Sequence, residues 1–171
     1  EAEEVGEVAV DTETTSLDPH QADLVGISLC SKIGKACYIP VGHKSSKSID
    51  KNTVIKKLKD LLEDPSVKKI GQNIKFDFIV FYRHGITLSS MEDTMLMSYV
   101  LDAGKNRHNM DTLSEIHLGH KTISFKEMVG TGKKEINFSE VELDKAKDYA
   151  AEDVDVTFRL YKKFLKNLKS E

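Results

Sequence analysis

Two acidic residues, Asp11 and Glu13, follow the apolar residues 8–10 near the start of the chain. The apolar run favours a β-strand, and because side chains alternate across a strand, both carboxylates lie on the same face. Two neighbouring carboxylates can bind a divalent cation. Acidic residues are also ordinary where a strand runs into a turn, so this pair alone does not decide the chemistry.

Two further carboxylates lie in helical segments that offer them little water. Asp77 lies within residues 74–81, a segment that is apolar on nearly every side of a helix. Asp153 shares a helical stripe with Val156, whereas Asp155 falls on the opposite, charged face and is expected to face water. Burial is therefore predicted for Asp77 and Asp153, with an exposed Asp77 on a less buried helix as the alternative.

The stripe that carries Asp153 contains no Lys or Arg. An isolated ionised carboxylate in such a position costs several kcal/mol unless a cation neutralises it. A bound metal ion resolves this problem, and oxygen-only ligands favour Mg²⁺ or Mn²⁺ over zinc. Tyr149 lies one helical turn before Asp153, so its phenol can reach the same site, although a tyrosine that only packs is the alternative.

The elements that position these residues are strands in the first third of the chain and helices afterwards. Apolar patterns predict strands at residues 8–10, 24–29, 36–41 and 68–70. They predict helices from an Asn52 cap to Leu62 and at residues 74–84, 93–101, 110–118 and 143–171. Neighbouring antiparallel strands, and one strand that returns after a crossover helix, indicate an α/β fold with a mixed sheet covered by helices.

Length and composition indicate one domain over residues 1–171. The 171 residues are 39% hydrophobic and 31% charged, which suits a single sizeable core. The chain lacks an initiator methionine and its last residues still favour a helix, so we expect a piece of a longer protein. The net charge of −3 disfavours extended binding to duplex DNA, but it allows a short nucleic-acid end held through metal ions.

Other features bear on compartment and surface. No apolar run approaches the ~20 residues that span a bilayer, so no membrane partner is expected. Cys30 and Cys37 are too few for a disulfide framework, and we expect two buried free thiols in a reducing cytoplasm. Residues 44–48 contain only Lys and Ser and predict a polar loop.

Three segments now carry a family resemblance. Residues 10–17, 71–77 and 149–153 resemble, in order and spacing, the three exonuclease motifs of the DEDD superfamily. The chain is most similar to the 3′→5′ proofreading exonuclease family of bacterial DNA polymerase I, which residues 107–113 and 120–125 also resemble. Tyr149 places it in the tyrosine subfamily, because the histidine subfamily would carry His where this chain has Asp148. The resemblance implies a ribonuclease-H-like mixed sheet of about five strands with helices on both sides.

The resemblance also implies a two-metal hydrolysis of terminal phosphodiesters to nucleoside 5′-monophosphates. It implies that Asp11 bridges two divalent ions, Mg²⁺ or Mn²⁺, that Glu13 and Asp153 complete the first site, and that Asp77 holds the second largely through water. Tyr149 and Glu13 would orient the attacking water. Such an arrangement generates hydroxide near neutral pH and stabilises charge on phosphorus and on the leaving oxygen.

Substrate contacts are likewise implied by the resemblance. Leu17 and Phe125 would pack against the terminal bases, and the remaining residues would lie near sugar and phosphate: Thr12, Gln72, Asn73, Lys75 and Arg107. Phe76 departs from the family, in which close relatives can have tyrosine, so any hydroxyl contact from this position is missing.

The implied partners are a single-stranded DNA 3′ end and the polymerase module of the same parent chain, with the domain itself monomeric and in the bacterial cytoplasm. Two alternatives stay open at this point. One is a stand-alone exonuclease that acts on RNA or DNA, as in the ribonuclease D or Werner-type branches. The other is a non-catalytic module of a polymerase, although the four carboxylates and Tyr149 are all present.

Overall fold

A five-stranded mixed sheet forms the centre of the protein, described by a computed structural model for residues 1–44 and 48–170. The spatial order is β3-β2-β1-β4-β5, and the strands are β1 (Glu7–Thr14), β2 (Leu24–Lys32), β3 (Lys35–Pro40), β4 (Lys68–Gly71) and β5 (Met91–Asp93). β1 pairs antiparallel with β2 and parallel with β4, and β4 pairs parallel with β5. The predicted mixed sheet with neighbouring antiparallel strands is confirmed.

Helices cover both faces of the sheet. They are α1 (Ala2–Val5), α2 (Lys51–Glu63), α3 (Lys75–Arg83), α4 (Thr94–Asp102), α5 (Met110–Leu118), α6 (Phe125–Val129) and α7 (Leu143–Leu168). Two short 3₁₀ turns, Gly132–Lys134 and Phe138–Glu140, connect α6 to α7. Within the described ranges, no helix is long and apolar enough to cross a membrane.

Alternation along β1 divides the core into two layers. Ala9 lies in the cluster formed with α4, α5 and α7, whereas Val10 lies in the cluster formed with α2 and α3. α7 packs across β1, β2 and β3. The same alternation carries Asp11 and Glu13 onto the α7 face, where Asp153 also lies.

The structure corrects three sequence-based predictions. The cap of α2 is Asp50 and not Asn52, because the Asp50 carboxylate accepts a hydrogen bond from the backbone N–H of Thr53 at 2.8 Å. Cys30 is buried but Cys37 is exposed, since it lies on the edge strand β3. Asp155 does not simply face water: its carboxylate accepts hydrogen bonds from the Gly34 backbone at 2.6 Å and from Arg159 at 2.7 Å.

The Asp155 contact fixes the β2–β3 hairpin against α7, because Gly34 lies at the hairpin turn. Of the polar loop predicted at residues 44–48, residues 45–47 lie outside the described ranges.

Candidate active site

Three carboxylates converge where β1 passes under α7. Asp11 and Glu13 project from the second half of β1, and Asp153 projects from the middle of α7. One carboxylate oxygen of each residue lies within 4.8 Å of the corresponding oxygens of the other two. Glu13 and Asp153 are buried and Asp11 is half-buried. The structure thus brings together two residues of the first segment and one from the far end of the chain.

Asp77 lies at the edge of this group and is held by the protein itself. It is buried in the first turn of α3, and its carboxylate accepts hydrogen bonds from the backbone N–H of Thr12 at 2.9 Å and from the Thr12 hydroxyl at 2.6 Å. Thr12 lies between Asp11 and Glu13 on β1, so these bonds fix Asp77 beside them. Thr12, predicted as a substrate contact, is itself buried.

The four carboxylates oppose one another's ionisation. Burial raises the pKa of Asp11 to about 7. Burial, followed by the charges of Asp11, Asp153 and Asp77, raises the pKa of Glu13 well above its usual range. Burial and the charge of Asp11 likewise raise the pKa values of Asp77 and Asp153. Among the described residues, no Lys or Arg forms an ion pair with any of the four.

One oxygen of this group lacks a hydrogen-bond donor among the described residues. Oε1 of Glu13 is buried, and no group in the described part of the chain donates a hydrogen bond to it. A buried polar atom without a partner costs free energy, and a buried carboxylate costs more. A divalent cation seated among Asp11, Glu13 and Asp153 would satisfy this oxygen and neutralise the charge. The oxygen-only donor set fits a hard ion such as Mg²⁺ or Mn²⁺.

Tyr149 lies beside Asp153, as the four-residue spacing predicts. Its hydroxyl interacts with the Asp153 carboxylate, and burial, followed by the charges of Asp153, Glu13 and Asp11, raises the pKa of Tyr149 above its usual range. The Tyr149 ring packs against Phe138 and Phe125, with ring centroids 5.9 Å and 6.2 Å away. Tyr149 is therefore a neutral hydrogen-bonding group at neutral pH.

Three of the carboxylates, Asp11, Glu13 and Asp153, form the floor of a cleft of about 400 Å³. Its walls are largely apolar and include Leu17 and Phe125. Leu17 is 90% exposed and Phe125 is 42% exposed, so two large apolar side chains of the lining present surface to solvent. Phe125 stacks on Phe138 at 6.0 Å with the ring planes 7° apart, which fixes its orientation.

Four other predicted substrate residues lie outside this cleft lining. The Gln72 side chain is bonded internally: its amide N–H donates to the backbone carbonyl of His108 at 2.8 Å, and its oxygen accepts from Thr94. Asn73 is exposed with a positive φ of 57°, and Lys75 and Arg107 are also exposed. Gln72 therefore anchors the segment that carries Arg107.

Sequence reasoning missed part of the cleft. Phe138, Met110, Ile136 and Asn137 line it, yet none was singled out for this purpose. Phe138 lies in a 3₁₀ turn, where hydrophobic periodicity gives no signal. The short α6, which carries Phe125, was also missed, although Ser124 and Glu127 form a recognisable capping box.

The sequence profile of the 3′-5′ exonuclease family matches residues 1–169. The chain belongs to this exonuclease family. It is 46% identical over 182 residues to DNA polymerase I of Rhizobium leguminosarum. This alignment covers 94% of this chain and 18% of that protein. It is also 42% identical over 174 residues to DNA polymerase I of Pseudomonas aeruginosa. That alignment covers 98% of this chain and 19% of the relative. The chain thus spans less than a fifth of the length of these relatives, and the predicted family is confirmed.

Solved structures show the same fold in other nucleases. Brucella melitensis NrnC with bound Mg²⁺ superposes with a TM-score of 0.77 at 24% identity, over 99% of this chain and 77% of that chain. Escherichia coli RNase D superposes with a TM-score of 0.74 at 20% identity, over 99% of this chain and 42% of that chain. These likenesses confirm the predicted ribonuclease-H-like fold.

Proposed function

We propose that the domain is a metal-dependent 3′→5′ exonuclease that shortens single-stranded or frayed DNA and releases nucleoside 5′-monophosphates, as the proofreading activity of a DNA polymerase. The observation that carries this proposal is the buried, unpaired Glu13 oxygen within a group of three carboxylates at the floor of an open cleft. A structural module would have no reason to retain it, because such a group destabilises the fold without a ligand.

The proposed metal ligands are the four carboxylates. Asp11, Glu13 and Asp153 would hold one divalent ion, and Asp77 with Asp11 would hold a second, as the position of Asp77 beside Asp11 supports. When bound, the ions supply hydroxide near neutral pH and stabilise charge on the phosphate and the leaving 3′ oxygen. The hydrogen bonds from Thr12 fix Asp77 before any ion arrives.

Tyr149 is proposed to orient the attacking water. Because its pKa is raised, its hydroxyl keeps its proton and can direct the water toward phosphorus, but it is a poor base. We expect Tyr149→Phe to lower kcat by about 10²-fold while the Mn²⁺ concentration for half-maximal activity changes little, since both ions keep their ligands. Single-turnover rates measured over a Mn²⁺ titration check this. A variant as inactive as one without Asp11 would show that Tyr149 does more than orient water.

The walls of the cleft suit a strand end of any sequence. Leu17 and Phe125 present apolar surfaces on which a terminal base can pack, and such stacking tolerates every base. A paired terminus must first melt before its last nucleotide can enter, so we propose that mismatched ends are cut faster than paired ends.

DNA is proposed as the substrate because the similar sequences are DNA polymerases, whereas the likeness to RNase D concerns the fold alone. The same relatives support the polymerase module of a longer parent chain as the partner. They are bacterial, which supports a cytoplasmic location, and a monomeric domain is the simplest form of this proposal.

Digestion of a 5′-labelled strand tests the proposal directly. DNA and RNA oligonucleotides of one sequence, single-stranded or with a matched or mismatched 3′ end, are incubated with Mg²⁺, Mn²⁺ or excess EDTA. We expect a ladder that shortens from the 3′ end, needs the metal, and is fastest on single-stranded and mismatched DNA. Activity in EDTA would contradict the metal mechanism, and preference for RNA would support the ribonuclease D-like alternative.

A further inference from the structure

A tyrosine on the neighbouring strands occupies the space beside Glu13. Gly26 on β2 lies directly opposite Glu13 on β1, and opposite residues of an antiparallel pair project from the same face. Gly26 has no side chain, and the ring of Tyr38, from β3, fills the space above it. A Cβ built on Gly26 would lie only 2.1 Å from the Tyr38 hydroxyl oxygen. The Tyr38 hydroxyl therefore lies where a side chain opposite Glu13 would otherwise be.

The pKa of Tyr38 agrees with this proximity. After burial, the charges of Glu13 and then of Asp11 are the groups that raise the pKa of Tyr38. Yet the Tyr38 hydroxyl does not donate to Glu13, whose Oε1 lacks a donor within the described ranges. A buried phenol normally donates a hydrogen bond, so a Tyr38 hydroxyl that does not donate to the nearby Glu13 must donate to another acceptor.

His43 is the hydrogen-bond acceptor of the Tyr38 hydroxyl. Its Nε2 lies 2.7 Å from the Tyr38 hydroxyl oxygen, and the two rings meet edge-on at 5.8 Å. His43 is buried, with 6% of its surface exposed, and its ring also packs against Phe138 at 6.1 Å. Its other ring nitrogen, Nδ1, is buried and has no hydrogen-bond partner among the described residues. The backbone of Val141 also lies near the ring, where it opposes the lowering of the pKa of His43 by burial.

We assign the His43 tautomer from these two neighbours. Because Nε2 already contacts the Tyr38 hydroxyl, we assign the neighbouring Val141 backbone carbonyl to Nδ1. A ring nitrogen that faces a carbonyl carries the proton, so Nδ1 is protonated and Nε2 is bare. An unprotonated Nε2 accepts a hydrogen bond from the Tyr38 hydroxyl. The hydroxyl hydrogen then points away from β1 and toward His43.

We propose that His43 is a positioning residue that holds the Tyr38 hydroxyl away from Glu13, so that Glu13 keeps an unpaired oxygen for a divalent ion. This inference rests on the proposed function, because it concerns the metal site of that function. Gly26 makes the arrangement possible, since any larger residue there would displace the Tyr38 ring.

The test compares Mn²⁺ binding in four proteins: wild type, His43→Leu, Tyr38→Phe and the double variant. In His43→Leu the Tyr38 hydroxyl loses its acceptor and should turn to Glu13, where it competes with the ion. The ion would then have to displace a hydrogen bond to a charged group. We therefore expect the Mn²⁺ dissociation constant of His43→Leu to rise about tenfold or more. Tyr38→Phe removes the hydroxyl altogether, so the dissociation constant should stay within about twofold of wild type.

The decisive variant is the double one. Tyr38→Phe in the His43→Leu background should restore Mn²⁺ affinity to near the wild-type value, although it removes one more polar group. Titration calorimetry and Mn²⁺-dependent thermal shifts measure affinity without relying on activity. His43→Gln, whose amide oxygen can also accept the hydroxyl proton, should retain wild-type affinity.

Loss of stability is controlled separately. Circular dichroism verifies folding, and His43→Met replaces His43→Leu if the latter does not fold. Lys69→Met, on β4 beside the opposite end of β1, should lower stability but leave Mn²⁺ affinity unchanged. A His43→Leu protein with wild-type affinity, or a double variant as weak as His43→Leu, would overturn the inference. Absence of saturable Mn²⁺ binding in the wild type would instead overturn the proposed function.

Discussion

A charged side chain is buried at each end of the central sheet, but the two side chains differ in their hydrogen-bond partners. Lys69, at the start of β4, is fully buried, and its ammonium group donates to the backbone carbonyls of Asp64 and Val67 and to the Ser89 hydroxyl. Glu13, at the end of β1, is also buried, but one of its oxygens lacks a donor in the described part of the chain and its charged neighbours are carboxylates. The first charge has three protein partners and needs no ligand.

Asp77 stands between these cases, because Thr12 donates two hydrogen bonds to it while Asp11 opposes its ionisation. A structural buried charge and a functional one therefore differ in how many protein partners they have. A structural charge is saturated within the chain, whereas a ligand site leaves specific oxygens unpaired.

The largest expected effect is at the unsaturated end. Asp11→Ala should abolish cleavage, because Asp11 is the residue shared by both proposed ion positions. The fold should persist, since the change also removes a negative charge from the apo cluster. Gel assays with excess enzyme measure cleavage, and circular dichroism measures folding. Retained cleavage in Asp11→Ala would show that the carboxylate cluster is not the catalytic centre.

Lys69→Met should show the reverse behaviour. It leaves the Asp64 and Val67 carbonyls and the Ser89 hydroxyl without their buried donor, so we expect a loss of about 3 kcal/mol in the free energy of unfolding. Below its melting temperature the variant should cleave DNA at the wild-type rate. Urea titrations and cleavage rates check the two halves of this expectation. A fall in cleavage rate in the folded variant would mean that the two ends of the sheet are coupled.

The sequence indicated much of the functional end and little of the structural one. Asp153 could be found because helical periodicity places it on an apolar stripe, and Asp77 because its helix is apolar on nearly every side. The saturation of Lys69 depends on loops that fold back from both sides of β4, which no periodicity encodes. The Thr12–Asp77 bond joins residues 65 positions apart.

Elements with weak local patterns were also missed. β5 has only three residues, of which one is buried, so it carries no usable alternation. Gly26 inside β2 is a sequence signal that was available, because a glycine within a strand often marks a close approach by another group.

Asp153→Asn should stabilise the metal-free protein, contrary to the usual effect of a change in a buried residue. It removes a buried charge at nearly constant volume, and we expect a gain of about 1 kcal/mol in EDTA at pH 8. The same variant should lose most of the stabilisation by Mn²⁺, which for the wild type is about 2.7 kcal/mol when free Mn²⁺ is 100 times its dissociation constant. Thermal melts with EDTA and with Mn²⁺ measure both effects. Lower stability in EDTA with an unchanged Mn²⁺ gain would exclude Asp153 as a ligand.

The effect that separates the two ends most specifically is pH dependence. The pKa of Asp11 is about 7 in the folded protein against 3.8 without the fold, so between these values the native state holds a proton that the unfolded chain has released. Stability from this group is therefore fully present below about pH 4 and is lost as pH rises through 7, by at most about 1.4 kcal/mol per pH unit. In EDTA, the advantage of Asp11→Asn over wild type should grow with pH from 5 to about 7 and level off above that. Lys69→Met should show no such growth, because Lys69 is far from the carboxylates.

Since Mn²⁺ competes with the retained protons, its stabilisation of the wild type should also increase over this range. Urea unfolding of the three proteins at several pH values, with EDTA and with Mn²⁺, gives these differences. A constant difference between wild type and Asp11→Asn would mean that Asp11 is ionised throughout and that burial does not hold its proton.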